Sequence, residues 1–206
     1  MDRKKVASVA GALVIAVGIW LFQSGKFKSE AQADKFTSTF LVDHEQTDNG
    51  FELFTSDTNQ YRMWFPLQYV IHKSSYKSSE DESEVWTAST KENDSYNAGK
   101  ITALFSKKKS KAAQNKMDAF QPDYMLKGKN ATIYVKKQTR DGKHSIYHAY
   151  VNDDYSDKYI YYTFELKSSE QTNSTKQQYW VEKILLNTQF QKNSADYSAE
   201  FLRKGS

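Results

Sequence analysis

The chain has 206 residues, a formal net charge of +4, no cysteine and a mean hydropathy of −0.79. Without cysteine it forms no disulfide, thiolate metal centre, cysteine nucleophile or thioether-linked lipid anchor. Its charge is not a nucleic-acid signal. Beyond Asp2, Arg3, Lys4 and Lys5 it holds 26 basic and 24 acidic residues, too near balance for general attraction to a polyanion.

Residues 1–5 form a basic flank, and 6–22 are an unbroken uncharged run. As a helix rising 1.5 Å per residue, that run spans about 25 Å, against a hydrocarbon core of about 30 Å. Trp20 and Phe22 suit the membrane interface, and Lys5 and Lys26 can snorkel outward. The run is expected to be a transmembrane helix. Basic residues before a first apolar segment stay cytoplasmic, so the bulk of the chain is expected outside. The alternative is a cleaved signal peptide, with Ala31-Gln32-Ala33 as the small-x-small site and secretion after Ala33. Ala33 lies far beyond Phe22, with Lys26, Lys28 and Glu30 between, which disfavours cleavage.

Residues 23–45 read as a polar tether in which Phe36, Phe40 and Leu41 mark a short helical or extended piece. A domain is expected over 46–191. Asp48-Asn49-Gly50 is a turn signal, and strands at 51–54 and 61–65 flank a second turn at 56–59, giving a hairpin that Pro66 ends. Residues 67–71 are a short apolar continuation. Residues 73–84 form a Ser-rich charged loop containing Glu80, Asp81, Glu82 and Glu84. Strands follow at 85–90 and 101–106, joined around Asn97-Ala98-Gly99. A helix is expected over 107–120, with Ala113, Met117 and Phe120 as its apolar stripe and Pro122 as its stop. Alternation in 131–136, the Asp141-Gly142 turn pair, a strand at 145–151 and another at 159–166 make an antiparallel meander. A last helix runs from Ser174 or Thr175 to about Phe190, burying Trp180, Val181, Ile184, Leu185 and Thr188. Residues 192–206 are a polar tail. Strands, helix, meander, helix in that order give an α+β fold, an antiparallel sheet with helices packed on it.

The segments YIYYTFEL at 159–166 and YWVEKILLNTQF at 179–190 resemble the end of PsbP/Mog1/DcrB-like domains, where a strand precedes a helix closing on an Ile-Leu-x-Ser-Phe-type motif. Ile184, Leu185 and Phe190 match; Thr188 stands near the Ser, with Gln189 inserted. The hairpin ending at Phe65-Pro66 resembles that family's opening. The resemblance covers residues 50–190 and implies an α/β/α sandwich used for binding or assembly, with no shared active site to carry over. A cystatin-like or NTF2-like α+β fold is the alternative.

Candidate sites are sparse. His144 and His148 fall on one strand about 13 Å apart, too far to chelate one metal. His44 and His72 have no evident partner. Asp153, Asp154 and Asp157 share a turn that lacks the Gly and Glu of a calcium loop. Lys107, Lys108, Lys109 and Lys111, with Lys116, could contact an anionic surface. Tyr61, Trp64 and Tyr147, extended by Phe65, Trp86 and Tyr150, could furnish an aromatic binding surface. No serine-hydrolase elbow or phosphate-cradling glycine loop occurs. No catalytic residue, metal or cofactor is therefore assigned. The expectation is a membrane-anchored extracytoplasmic binding or assembly module of a bacterial envelope, with an envelope protein as partner. An exported hydrolase and a small-ligand or ion-binding domain are the alternatives.

Overall fold

The computed structural model describes residues 28–42, 45–91, 97–140, 144–167 and 174–191. The expected membrane segment at 6–22, His44, the Asp141-Gly142 turn and the tail at 192–206 lie outside them. Among the described residues no helix is long and apolar enough to cross a membrane.

Among the described residues, twelve strands form two antiparallel sheets. The smaller joins β1 (Leu41–Val42), β2 (Phe51–Thr55), β3 (Tyr61–Pro66) and β12 (Gln189–Phe190) in the order β1-β2-β3-β12. The larger contains β4 (Tyr69–Ile71), β5 (Lys77–Ser79), β6 (Ser83–Thr90), β7 (Gly99–Ser106), β8 (Tyr124–Lys127), β9 (Ala131–Arg140), β10 (His144–Asp153) and β11 (Tyr159–Lys167). Its order is β4-β6-β7-β11-β10-β9-β8, with β5 added beside β6. Helices are few: α1 (Glu30–Ala33), α2 (Lys111–Asp118) and α3 (Ser174–Leu186).

Register explains the core. Ile133 pairs with Val151 and Val151 with Ile160, while Val135 pairs with Ala149 and Ala149 with Tyr162. Side chains alternate across a strand, so these residues share one face with Phe164, Ile101, Phe105 and Trp86, all fully buried. The small sheet covers part of that face. Phe54 and Phe65 meet Trp86 at ring distances of 5.6 and 5.9 Å, and Tyr61 meets Phe105 at 5.4 Å. The polar tips are satisfied inside this apolar layer, since Trp86 Nε1 donates to the Tyr61 hydroxyl at 2.8 Å. The α3 helix covers the rest by its 3.6-residue stripe. Trp180 lies between Tyr69 (5.7 Å), Phe51 (6.3 Å) and Phe164 (6.4 Å). The short α2 sits against the opposite face, and just beyond its end Phe120 meets Tyr150 edge-on at 5.0 Å. It buries none of its residues fully.

Several expectations change. Residues 28–42 are packed against the domain, so the tether does not extend to residue 45. Ser29 caps α1 in a capping box, Ala31 is fully buried and its N–H donates to the Leu67 carbonyl at 3.0 Å. The apolar piece 67–71 leaves the hairpin and enters the larger sheet as β4. The loop expected over 73–84 contains a β5–β6 hairpin, turned at Glu80 with φ +40°. The α2 helix starts at Lys111, because the Lys107 N–H is already bonded to the Glu82 carbonyl at 2.8 Å and Ser110 supplies the cap. Strand β8, after Pro122, was not expected. The α3 helix stops at Leu186, and the inserted Gln189 begins β12, which pairs with β3.

Candidate functional site

Asp34 organises the entry to the domain. Its Oδ1 accepts from the Thr37 N–H at 2.7 Å and the Thr37 hydroxyl at 2.8 Å. Burial works against the Asp34 carboxylate, yet these Thr37 bonds hold its pKa below the ordinary value. Thr37 Oγ1 in turn accepts from the Ile71 N–H at 2.9 Å, fastening the 3-10 turn Thr37–Phe40 to β4. That turn presents Phe36 and Phe40 to Tyr76. The three rings contact one another pairwise at 5.2–5.4 Å, and Phe40 stacks on Phe54 at 5.4 Å.

This aromatic wall bounds a cleft of about 420 Å³, whose other side is the β2–β3 turn with Thr55, Ser56, Asp57 and Asn59. The turn is set by Ser56, whose Oγ accepts from the Gln60 and Tyr61 N–H groups at 3.0 and 3.2 Å, and by Asn59 in the left-handed region at φ +52°. Asp57 accepts from the Ser78 hydroxyl at 3.4 Å. Behind the turn stands Glu84. Thr58 Oγ1 donates to its Oε2 at 3.3 Å, and Oε1 has no protein partner. Thr55 Oγ1, also buried, has none either among the described residues, while the buried Tyr76 hydroxyl faces the Glu84 and Asp57 carboxylates and Ser78. Glu84 is 1% exposed because it occupies the core-facing register of β6, in step with Trp86 and Ala88. Burial raises its pKa to about 7. Burial also raises the Tyr76 phenol well above its ordinary value. The cleft therefore gathers an aromatic wall and an exposed carboxylate, with the buried acid Glu84 behind its turn and outside its lining.

The residues singled out from sequence fall elsewhere. Tyr61 and Tyr147 are fully buried, as are Phe65 and Trp86, so they belong to the core and cannot form a binding surface. The alternation that put aromatics on these strands also turned them inward. Trp64 is half-buried on the opposite side of the small sheet, 5.9 Å from Phe51. Lys107 is tied to Asp81 at 2.5 Å and Glu82 at 3.4 Å, while Lys108 and Lys111 are exposed and Lys109 is half-buried. The acidic run is thereby divided, with Asp81 and Glu82 paired at the surface and Glu84 inside. His148 Nδ1 lies 2.8 Å from the Tyr161 hydroxyl, and burial, then Lys136, lowers its pKa. His72 does have a partner, the Ser89 hydroxyl at 2.7 Å. Asp153 receives the Tyr155 N–H and Ser156 hydroxyl, and Asp154 receives Lys127 and Thr132. Among the described residues no group of three or more His, Cys, Asp or Glu could hold a metal. The sequence reading missed the cleft because it assigned Phe36 and Phe40 to a tether. Two phenylalanines four apart in a polar stretch were the available signal.

A family model described as "Putative lipoprotein YvcA", of Mog1-like type, matches residues 28–191. The chain belongs to this family. The YvcA match includes α1 and both walls of the cleft. No curated protein matches the chain. A crystal structure of a protein from Bacteroides thetaiotaomicron is similar at 12% identity and a TM-score of 0.43, over 68% of this chain and 48% of that one. The chain thus spans about half the length of that protein, and the likeness is too slight to bear on function.

Proposed function

We propose that this YvcA-family protein is a membrane-tethered, extracytoplasmic binding module of a bacterial envelope, without catalysis of its own. The observation that carries this reading is the join at residue 28. The family match begins there, five residues beyond the uncharged run 6–22, and α1, fastened to the domain, starts two residues later at Glu30. Five or six extended residues reach about 20 Å at most, so the domain would rest close to the membrane surface. The family is described as a putative lipoprotein, and this chain has no cysteine to acylate. A transmembrane helix at 6–22 supplies the missing attachment. Cleavage after Ala33 is disfavoured further, because Ala31 is buried and α1 is fastened to Leu67 and, through Gln32, to Glu52 at 2.9 Å.

The exported-hydrolase alternative draws little support from the described residues. Ser89 and His72 are in contact, but His72 is exposed, has no described carboxylate partner and does not line the cleft. The small-ligand reading is favoured by the cleft and is a refinement of the binding module. Membrane fractionation with alkaline carbonate extraction tests the tether. The full-length chain should stay in the pellet, and a soluble product starting at Asp34 would reject the reading.

A further inference from the structure

The cleft's lining is one-sided in its chemistry. It contains Asp57, hydroxyls and aromatic rings, and none of the residues lining it is a lysine or arginine. Thr55 Oγ1, in its lining, and Glu84 Oε1, behind the β2–β3 turn, have no hydrogen-bond partner within bonding distance among the described residues. An anion would meet the Asp57 carboxylate with no lining lysine or arginine to offset it. A neutral apolar ligand would leave the oxygens unpaired. A cation with N–H donors suits both features, since carboxylates accept those donors and aromatic faces attract positive charge. The protein already places one ammonium against the wall, with Lys73 Nζ 5.9 Å from the centre of the Phe36 ring. The cavity volume of about 420 Å³ lies within the range of about 300–1,000 Å³ usual for small-molecule sites.

We propose that this cleft binds a small organic ammonium ion, held between the Phe36–Phe40–Tyr76 wall and the Asp57 carboxylate, with Glu84 as the buried second negative group. This rests on the binding-module reading and names its ligand class. Binding should strengthen as pH rises from 5.5 to 8, because Glu84 ionises over that interval. The titratable groups facing Glu84 are Asp57, Tyr61, Tyr76 and Tyr162, and the three phenols, their pKa values raised by burial, stay neutral throughout.

The test uses the full-length chain in detergent, titrated with n-butylammonium, butan-1-ol and butyrate by calorimetry at both pH values. Saturable binding of n-butylammonium alone, at least threefold tighter at pH 8 than at pH 5.5, supports the proposal. Exposed Asp57 is replaced in Asp57→Asn, which should weaken binding at least fivefold with an unchanged melting temperature. No saturable binding at millimolar concentration, equal binding of the alcohol, or full affinity in the Asp57→Asn variant overturns it. These outcomes are independent of carbonate extraction, so failure of the ligand class and failure of the tether are told apart.

Discussion

Replacing Glu84 with Gln should stabilise the domain at alkaline pH far more than at acidic pH. Glu84 is buried on the core face of β6, and its pKa rises from 4.5 to about 7, burial being the main cause. A raised pKa means that the folded state holds the proton more tightly than the unfolded state. The group's contribution is therefore fully present below about pH 4.5 and is lost as pH rises through about 7. At 1.36 kcal/mol per pH unit, a shift of this size corresponds to a limiting cost of roughly 3 kcal/mol. Between pH 5 and pH 8 most of it develops, roughly 2–3 kcal/mol, since the unfolded state is already partly ionised at pH 5. Gln keeps the shape and cannot ionise. Urea unfolding of both proteins at the two pH values isolates the effect, because every other titration cancels in the difference. The stability of the variant relative to the parent should rise by roughly 2–3 kcal/mol from pH 5 to pH 8. An equal difference at both values would refute the buried, proton-binding Glu84.

Other substitutions test the frame that positions the cleft. Gly99→Ala should destabilise by at least ~3 kcal/mol, read by urea unfolding, because Gly99 has φ +156° and a Cβ there would collide with the Glu165 carbonyl oxygen. Trp180→Ala removes the ring that joins α3 to Tyr69, Phe51 and Phe164 and should cost about 3–5 kcal/mol in the same assay. A chain shortened to begin at Asp34 loses the Ala31–Leu67 and Gln32–Glu52 bonds and should unfold about 1–2 kcal/mol more easily than one beginning at Lys28. Equal stability of the two would return residues 28–33 to the tether.

The meander was legible in the sequence because each of its strands buries one face, which enforces a period of two, and its turns carry Asn, Asp or Gly. The α3 stripe was legible for the matching reason at a period of 3.6. What escaped was long-range. Nothing local in Leu67 or Gln68 says that the chain changes sheets there, and the pairing of β12 with β3 joins residues over a hundred positions apart. Every residue of strand β5 is exposed, so it has no hydrophobic pattern to read. The candidate aromatics were correctly placed on strands, but only register shows that Tyr61 and Tyr147 point inward. Glu84 looked like a member of an acidic loop because its neighbours are charged. Its fate was decided by the β5–β6 hairpin, which puts Glu84 on the face of Trp86.

The tethered, outward-facing domain is tested most directly by the absence of native cysteine. Met125 is 56% exposed on β8, so Met125→Cys gives the full-length chain a single accessible thiol. Intact cells are treated with a membrane-impermeant maleimide before and after lysis, and the labelled chain is sized and fractionated. The account expects full labelling in intact cells on a full-length, membrane-bound chain. Labelling only after lysis, or a labelled soluble chain beginning at Asp34, would contradict it.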